Sequence, residues 1–150
     1  MRSILFVCLG NICRSPIADG IANTIAREHD LELFIDSAAL GPWHVGNPPC
    51  ENSIRVARNH GVDISGLRAR ALAPEDKRFD YVVAMDDENV RALRDLGFQK
   101  IYKLGNYGGY GGACVPDPYF FDGFDGFEEV WKMIDHCVRD MFEREGWLRC

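Results

Sequence analysis

Apolar residues along the chain form two kinds of pattern, unbroken runs and helical stripes, and the two alternate. Ile4-Leu5-Phe6-Val7 is a continuous run, the pattern of a strand covered on both faces, and reads as a central parallel strand. Tyr81-Val82-Val83-Ala84-Met85 repeats it, and shorter runs at Leu33-Phe34-Ile35 and around Ile101-Tyr102 bring the expected strands to four. Between the first two, Ile17, Ile21 and Ile25 recur every four residues up to about His29, behind Ser15-Pro16 as cap and first-turn proline. Glu51 to His60 fits a second helix closed by Gly61, and Asp86 to Leu96 a third closed by Gly97. Each glycine stands just past the last turn, where a left-handed residue ends a helix. From about Phe124 to Arg144, the residues Phe127, Val130, Trp131, Ile134, Val138, Met141 and Phe142 keep helical spacing and read as a core-packing stripe.

Strands alternating with helices predict right-handed crossovers and an α/β fold. The expected architecture is a four-stranded parallel sheet with helices on both faces, Rossmann-like or flavodoxin-like, with function at the carboxyl ends of the strands. No internal repeat or linker interrupts the 150 residues, so residues 1–150 are expected to form a single domain. The Gly-rich stretch from Gly105 to Gly112 lacks the lysine and the following helix of a nucleotide loop, and is expected to be a flexible loop near the site.

The net charge of -6 argues against a nucleic-acid partner, which needs a basic face, though it allows one phosphate in a local pocket. Six cysteines, at positions 8, 13, 50, 114, 137 and 150, are too few and too irregularly spaced for a disulfide framework, and fit reduced thiols in a cytoplasmic protein. The apolar run from Ile4 to Leu9 is too short for a signal-peptide core or a membrane span, so no membrane association is expected.

Candidate chemistry is concentrated after the first strand, in Cys8-Leu9-Gly10-Asn11-Ile12-Cys13-Arg14-Ser15-Pro16. A loop of this size between a buried strand and a helix N-terminus can wrap so that backbone N–H groups and the helix dipole converge on one anion. Gly10 supplies backbone freedom, and Asn11 tolerates a left-handed conformation. The field that favours phosphate also favours a thiolate, which makes Cys8 the candidate nucleophile. Arg14 offers a planar fork for two phosphoryl oxygens, and Ser15 can donate to the sulfur when it leaves. A metal site on Cys8 and Cys13 is not expected, because no further cysteine or histidine pair stands at ligand spacing.

The segment from Val7 to Pro16 resembles the phosphate loop of the low-molecular-weight protein tyrosine phosphatases. Further landmarks follow in that family's order: Asp36-Ser37-Ala38, Trp43-His44-Val45-Gly46, His60-Gly61-Val62, Phe79-Asp80-Tyr81, Met85-Asp86-Asp87-Glu88-Asn89 and Asp117-Pro118-Tyr119. The resemblance implies hydrolysis of phosphotyrosine monoesters on proteins through a cysteinyl-phosphate intermediate, with no cofactor. In that reading Cys8, Arg14 and Asp117 are catalytic, Asp117 as general acid and then base. Leu9, Gly10, Asn11, Ile12, Cys13 and Ser15 belong to the phosphate loop, and Trp43 and Tyr119 wall the pocket. Asn11 and Ser37 would brace the loop by hydrogen bonds, Asp86 would orient Arg14, and Cys13 would pair with Cys8 on oxidation. From the residues alone, Asp117-Pro118 could be a turn, Trp43 a core residue and Asp86 a helix cap. The chain departs from the family pattern at Leu67, where many members carry a histidine of the loop-supporting network, and at Phe120, where a second tyrosine often follows. The implied partner is a phosphotyrosine-containing protein, and the implied assembly is a monomer or weak homodimer. Two alternatives stand beside this reading. One is a thiol-linked arsenate reductase, which would need relay cysteines that Gly61 to Tyr110 does not contain; the other is a non-catalytic phosphate-binding module.

Overall fold

In the computed structural model, which describes residues 1–118 and 123–148, strand β1 spans Arg2–Cys8 and lies in the middle of a parallel sheet. The other strands are β2 (Leu33–Ala39), β3 (Tyr81–Ala84) and β4 (Ile101–Lys103), in the order β2-β1-β3-β4. The continuous apolar run of β1 divides by strand geometry. Ile4, Phe6 and Cys8 join one apolar cluster, while Leu5 and Val7 join another on the opposite face. The larger cluster is covered by helices α1 (Arg14–Glu28), α2 (Glu51–Asn59) and α4 (Asp125–Arg144). Helix α3 (Asp87–Asp95) covers the smaller one through Leu93 and Val90. The expected two-faced fold is therefore present, with the helices divided three to one. No helix of the described residues is long and apolar enough to cross a membrane.

Three sequence expectations need correction. Ser15 does not cap α1: Cys13 occupies the N-cap position without a side-chain cap, and the Ser15 hydroxyl is taken up by Asn11 and Cys8 instead. β2 runs on through Asp36 and Ser37 to Ala39, beyond the apolar run Leu33-Phe34-Ile35. Polar side chains hid this half of the strand, since Ser37 is buried against an acid of α1 rather than against aliphatic carbon. The Gly-rich stretch is not a loose loop at the site. Its Tyr107 is buried in the core, Gly108 N donates to Asp140 Oδ2 of α4 at 2.6 Å, and Gly112 N donates to Gly105 O at 2.9 Å. Gly108, Gly109, Gly111 and Gly112 all have positive φ, so the glycines serve the path of the chain over α4. Helix ends at Gly61 and Gly97 are as expected, both with positive φ.

β1 and β3 are neighbours in the sheet, but the chain leaves β1 towards α1 on one face and leaves β3 towards α3 on the other. That divergence opens a crevice beyond the carboxyl ends of the two strands, at Cys8 and Met85, where open parallel sheets place their sites.

Candidate active site

Residues 9 to 13 carry the chain from the end of β1 back over itself into α1. Asn11 makes this possible with φ 56°, a left-handed conformation that asparagine tolerates. Its side chain spans the curve: Nδ2 donates to Ser15 Oγ at 2.7 Å, and Oδ1 accepts from Arg70 N at 3.1 Å. The carbonyls of Cys8, Leu9 and Ile12 are drawn outwards, accepting from the amides of Leu40, Gly41 and Cys50 at 3.0, 3.0 and 2.8 Å. In a trans peptide the N–H points opposite to the preceding carbonyl, so the amides of Leu9, Gly10 and Cys13 are turned away from those partners.

Cys8 sits at the floor of the curve. Asn11 N lies 3.2 Å from its sulfur and Ser15 Oγ 3.1 Å, so a backbone donor and a hydroxyl are both in place for negative charge there. Arg14, in the first turn of α1, is buried and held by two acceptors on one nitrogen: Nη1 donates to Asp86 Oδ2 at 2.7 Å and to Val115 O at 2.9 Å. Nη2 lies 3.6 Å from Asp117 Oδ2. Burial works against the cation, yet Cys8, Asp86 and Asp117 together outweigh it and push the guanidinium above its ordinary value. Asp86 binds Arg14 with one oxygen, and its second oxygen accepts from Asn89 N at 2.8 Å and caps α3.

These residues open into one pocket of about 190 Å³, lined by Cys8, Leu9, Gly10, Ile12, Cys13, Arg14, Trp43, His44 and Asp117. Trp43 is 66% exposed, which excludes the core-packing alternative and leaves its ring as a pocket wall. Two glycines admit the aromatic rim. A Cβ on Gly41 would stand 1.7 Å from the Trp43 ring, and one on Gly10 would stand 2.9 Å from His44 Cδ2. Asn11 and Ser15 lie behind the loop, not on the pocket surface. Tyr119 and Phe120 lie outside the described residues. Among the described residues no cluster of histidine, cysteine, aspartate or glutamate is arranged to hold a metal ion.

Ser37 is placed differently from its expected role. Its hydroxyl donates to Asp19 Oδ2 at 2.8 Å, tying β2 to α1 instead of bracing the loop. Leu67, at the position of the absent histidine, packs against the main apolar cluster. The loop is braced instead through Arg70, whose amide holds Asn11 and whose guanidinium grips Asp76 with two 3.0 Å bonds and Asp36 with one. Sequence reasoning passed over Arg70 and the Val115 carbonyl, and gave His44, named only within a landmark, no part in the pocket. It also passed over Cys50, whose Sγ lies 2.9 Å from Cys13 Sγ.

Residues 3–145 match the low molecular weight phosphotyrosine protein phosphatase family. The chain is 44% identical over 142 residues to the low molecular weight protein-tyrosine-phosphatase YfkJ of Bacillus subtilis, covering 89% of each chain. It is 36% identical over 152 residues to the low molecular weight phosphotyrosine protein phosphatase of Sus scrofa, covering 95% of each. Among solved structures, that of YfkJ superposes with a TM-score of 0.85 at 37% identity, over 97% of both chains. The drosophila arginine phosphatase DARP superposes with a TM-score of 0.91 at 30% identity, over 97% of this chain and 98% of that one. The arsenate-reductase alternative finds no support in these relatives, and the catalytic class sets aside a mere binding module. The chain belongs to the low molecular weight phosphotyrosine protein phosphatases and is an enzyme of that class.

Proposed function

We propose that the protein hydrolyses phosphotyrosine monoesters on proteins through a cysteinyl-phosphate intermediate at Cys8. The phosphoryl group enters the loop with its bridging oxygen directed outwards, and two of its other oxygens are held by the Arg14 fork and the loop amides. The Cys8 sulfur attacks phosphorus in line with the departing phenol oxygen, which takes a proton from Asp117. In the second step Asp117 accepts a proton from water, the water oxygen attacks phosphorus, and the sulfur leaves as a thiolate stabilised by the Ser15 hydroxyl and the Asn11 amide. The observation that carries this reading is the arrangement of Cys8, with donors at 3.1 and 3.2 Å, in one pocket with Arg14 and Asp117.

The rim favours an aryl ester. Leu9, Ile12 and Trp43 offer apolar surface on which a phenol ring can stack, whereas a guanidinium leaving group would have to lose hydration against the same walls. Rapid alkaline quench of the enzyme with a 32P-labelled phosphotyrosyl peptide, without added metal, should trap labelled phosphate on Cys8. Cys8→Ser should lose the label and all turnover while still binding inorganic phosphate. Turnover without a trapped phosphoenzyme, or faster release from phosphoarginyl than from phosphotyrosyl peptides, would refute the reading.

A further inference from the structure

We propose that Cys13 and Cys50 form a dithiol–disulfide pair, a redox modification site beside the phosphate loop that does not involve Cys8. Their sulfurs are 2.9 Å apart, and a disulfide bond is about 2.05 Å long, so closure requires an approach of only about 0.9 Å. The two segments are already tied together: Cys50 N donates to Ile12 O at 2.8 Å, and the Ser53 hydroxyl bridges the pair, 3.2 Å from Cys13 O and 3.0 Å from Cys50 Sγ. Cys13 stands at the N-cap of α1 and Cys50 at the N-cap of α2, so both sulfurs are carried on the starts of rigid elements. Cys13 lines the pocket and Cys50 is half-buried, which leaves the pair within reach of a small oxidant.

The chemistry of the pair is asymmetric. The hydrogen bond from Cys13 lowers the Cys50 thiol to about 7 against the opposing effect of burial, with Ser53 Oγ, 3.0 Å from the sulfur, helping to lower it. The same hydrogen bond raises Cys13, and burial adds to the rise. Cys50 is therefore the thiolate of the two and the first to react. With a hydroperoxide as oxidant, the Cys50 thiolate attacks the terminal oxygen, the O–O bond breaks, and sulfenic acid forms with release of an alkoxide or hydroxide. The Cys13 sulfur then attacks the Cys50 sulfur; the S–O bond breaks, and hydroxide leaves with the Cys13 proton as water. The two thiols lose two electrons to the peroxide. The bond ties the phosphate loop to the start of α2 and removes Cys13 from any pairing with Cys8.

Tryptic peptide mapping after peroxide treatment tests this directly. Cleavage after Arg2, Arg14, Arg27 and Arg55 places Cys8 and Cys13 together on peptide 3–14 and Cys50 on peptide 28–55. A Cys13–Cys50 bond joins two peptides, whereas a Cys8–Cys13 bond closes within one. The full chain and its Cys8→Ser variant should both yield the 3–14/28–55 cross-link, removed by reductant and absent in Cys50→Ser and Cys13→Ser. Circular dichroism should confirm that each variant is folded. A cross-link that disappears in Cys8→Ser would assign the bond to Cys8 and overturn the proposal. So would singly oxidised Cys13 and Cys50 peptides with no cross-link. The readout is a mass and does not depend on turnover.

Discussion

Asp117 lies in the pocket with Cys8, 3.6 Å from the Arg14 guanidinium, and in the proposed mechanism it is the group that gives the leaving phenol its proton. General acid catalysis is worth about 10²–10⁴-fold, and its worth falls as the leaving group becomes more acidic. Asp117→Asn should therefore cut kcat/KM for a phosphotyrosyl peptide by at least about 100-fold, and for an ester of a strongly acidic phenol by less than about 10-fold. Steady-state kinetics with the two substrates check this, and equal losses would remove Asp117 from the acid role. Trp43 shows how one residue type carries two meanings in a sequence. Its indole is usually core, yet here Gly41 clears the space beneath the ring and leaves it exposed at the rim.

At the scale of elements, the segment after β4 demonstrates why a glycine run need not be loose. Gly105 is buried, and a Cβ there would meet the Ala113 carbonyl oxygen at 1.6 Å, a backbone atom that cannot swing aside. Gly105→Ala should cost about 1–3 kcal/mol and lower Tm by several degrees, with kcat for small aryl phosphates largely retained. A thermal melt showing no change would mean that this segment yields more easily than its hydrogen bonds suggest. Helices, their glycine stops and the apolar strand segments were legible because each is written in a local period or a local stop signal, whereas the half of β2 beyond Ile35 was not. The candidate phosphate loop stood out for the same reason, as Cys8, Arg14 and Ser15 lie within eight consecutive residues joining a strand to a helix. Contacts made by folding were not legible. Arg14 meets Val115 across 101 positions, Arg70 reaches Asn11 across 59, and Cys13 meets Cys50 across 37. Asp117 falls between these cases, since Asp-Pro alone reads as a turn and the family resemblance singled it out.

At the scale of the whole molecule, Asp19 is a buried acid whose ionisation opposes folding. Asp19 is 3% exposed, and burial raises its carboxyl from an ordinary 3.8 to about 6, despite hydrogen bonds from Ser37 and Asn23. Because the folded state holds the proton more tightly than the unfolded chain, the stabilising effect is complete below about pH 4 and is lost as pH rises through about 6. The loss amounts to roughly 3 kcal/mol. Asp19→Asn should match the parent in Tm near pH 4 and exceed it by several degrees at pH 7, as read by melts across that range. A constant difference between the two at every pH would refute the assignment.

The Val115 carbonyl that receives Arg14 belongs to a residue whose amide is bound to Met85 O at 2.8 Å, two positions before Asp117. The guanidinium is thus a tie-rod for the strip of chain that carries Asp117, and in the proposed mechanism it is also the claw on the phosphoryl oxygens. A lysine, with a single ammonium, cannot anchor Asp86, Val115 and a phosphate in one plane. On that mechanism, a substitution at Arg14 would release the chain that carries Asp117 together with the phosphoryl group.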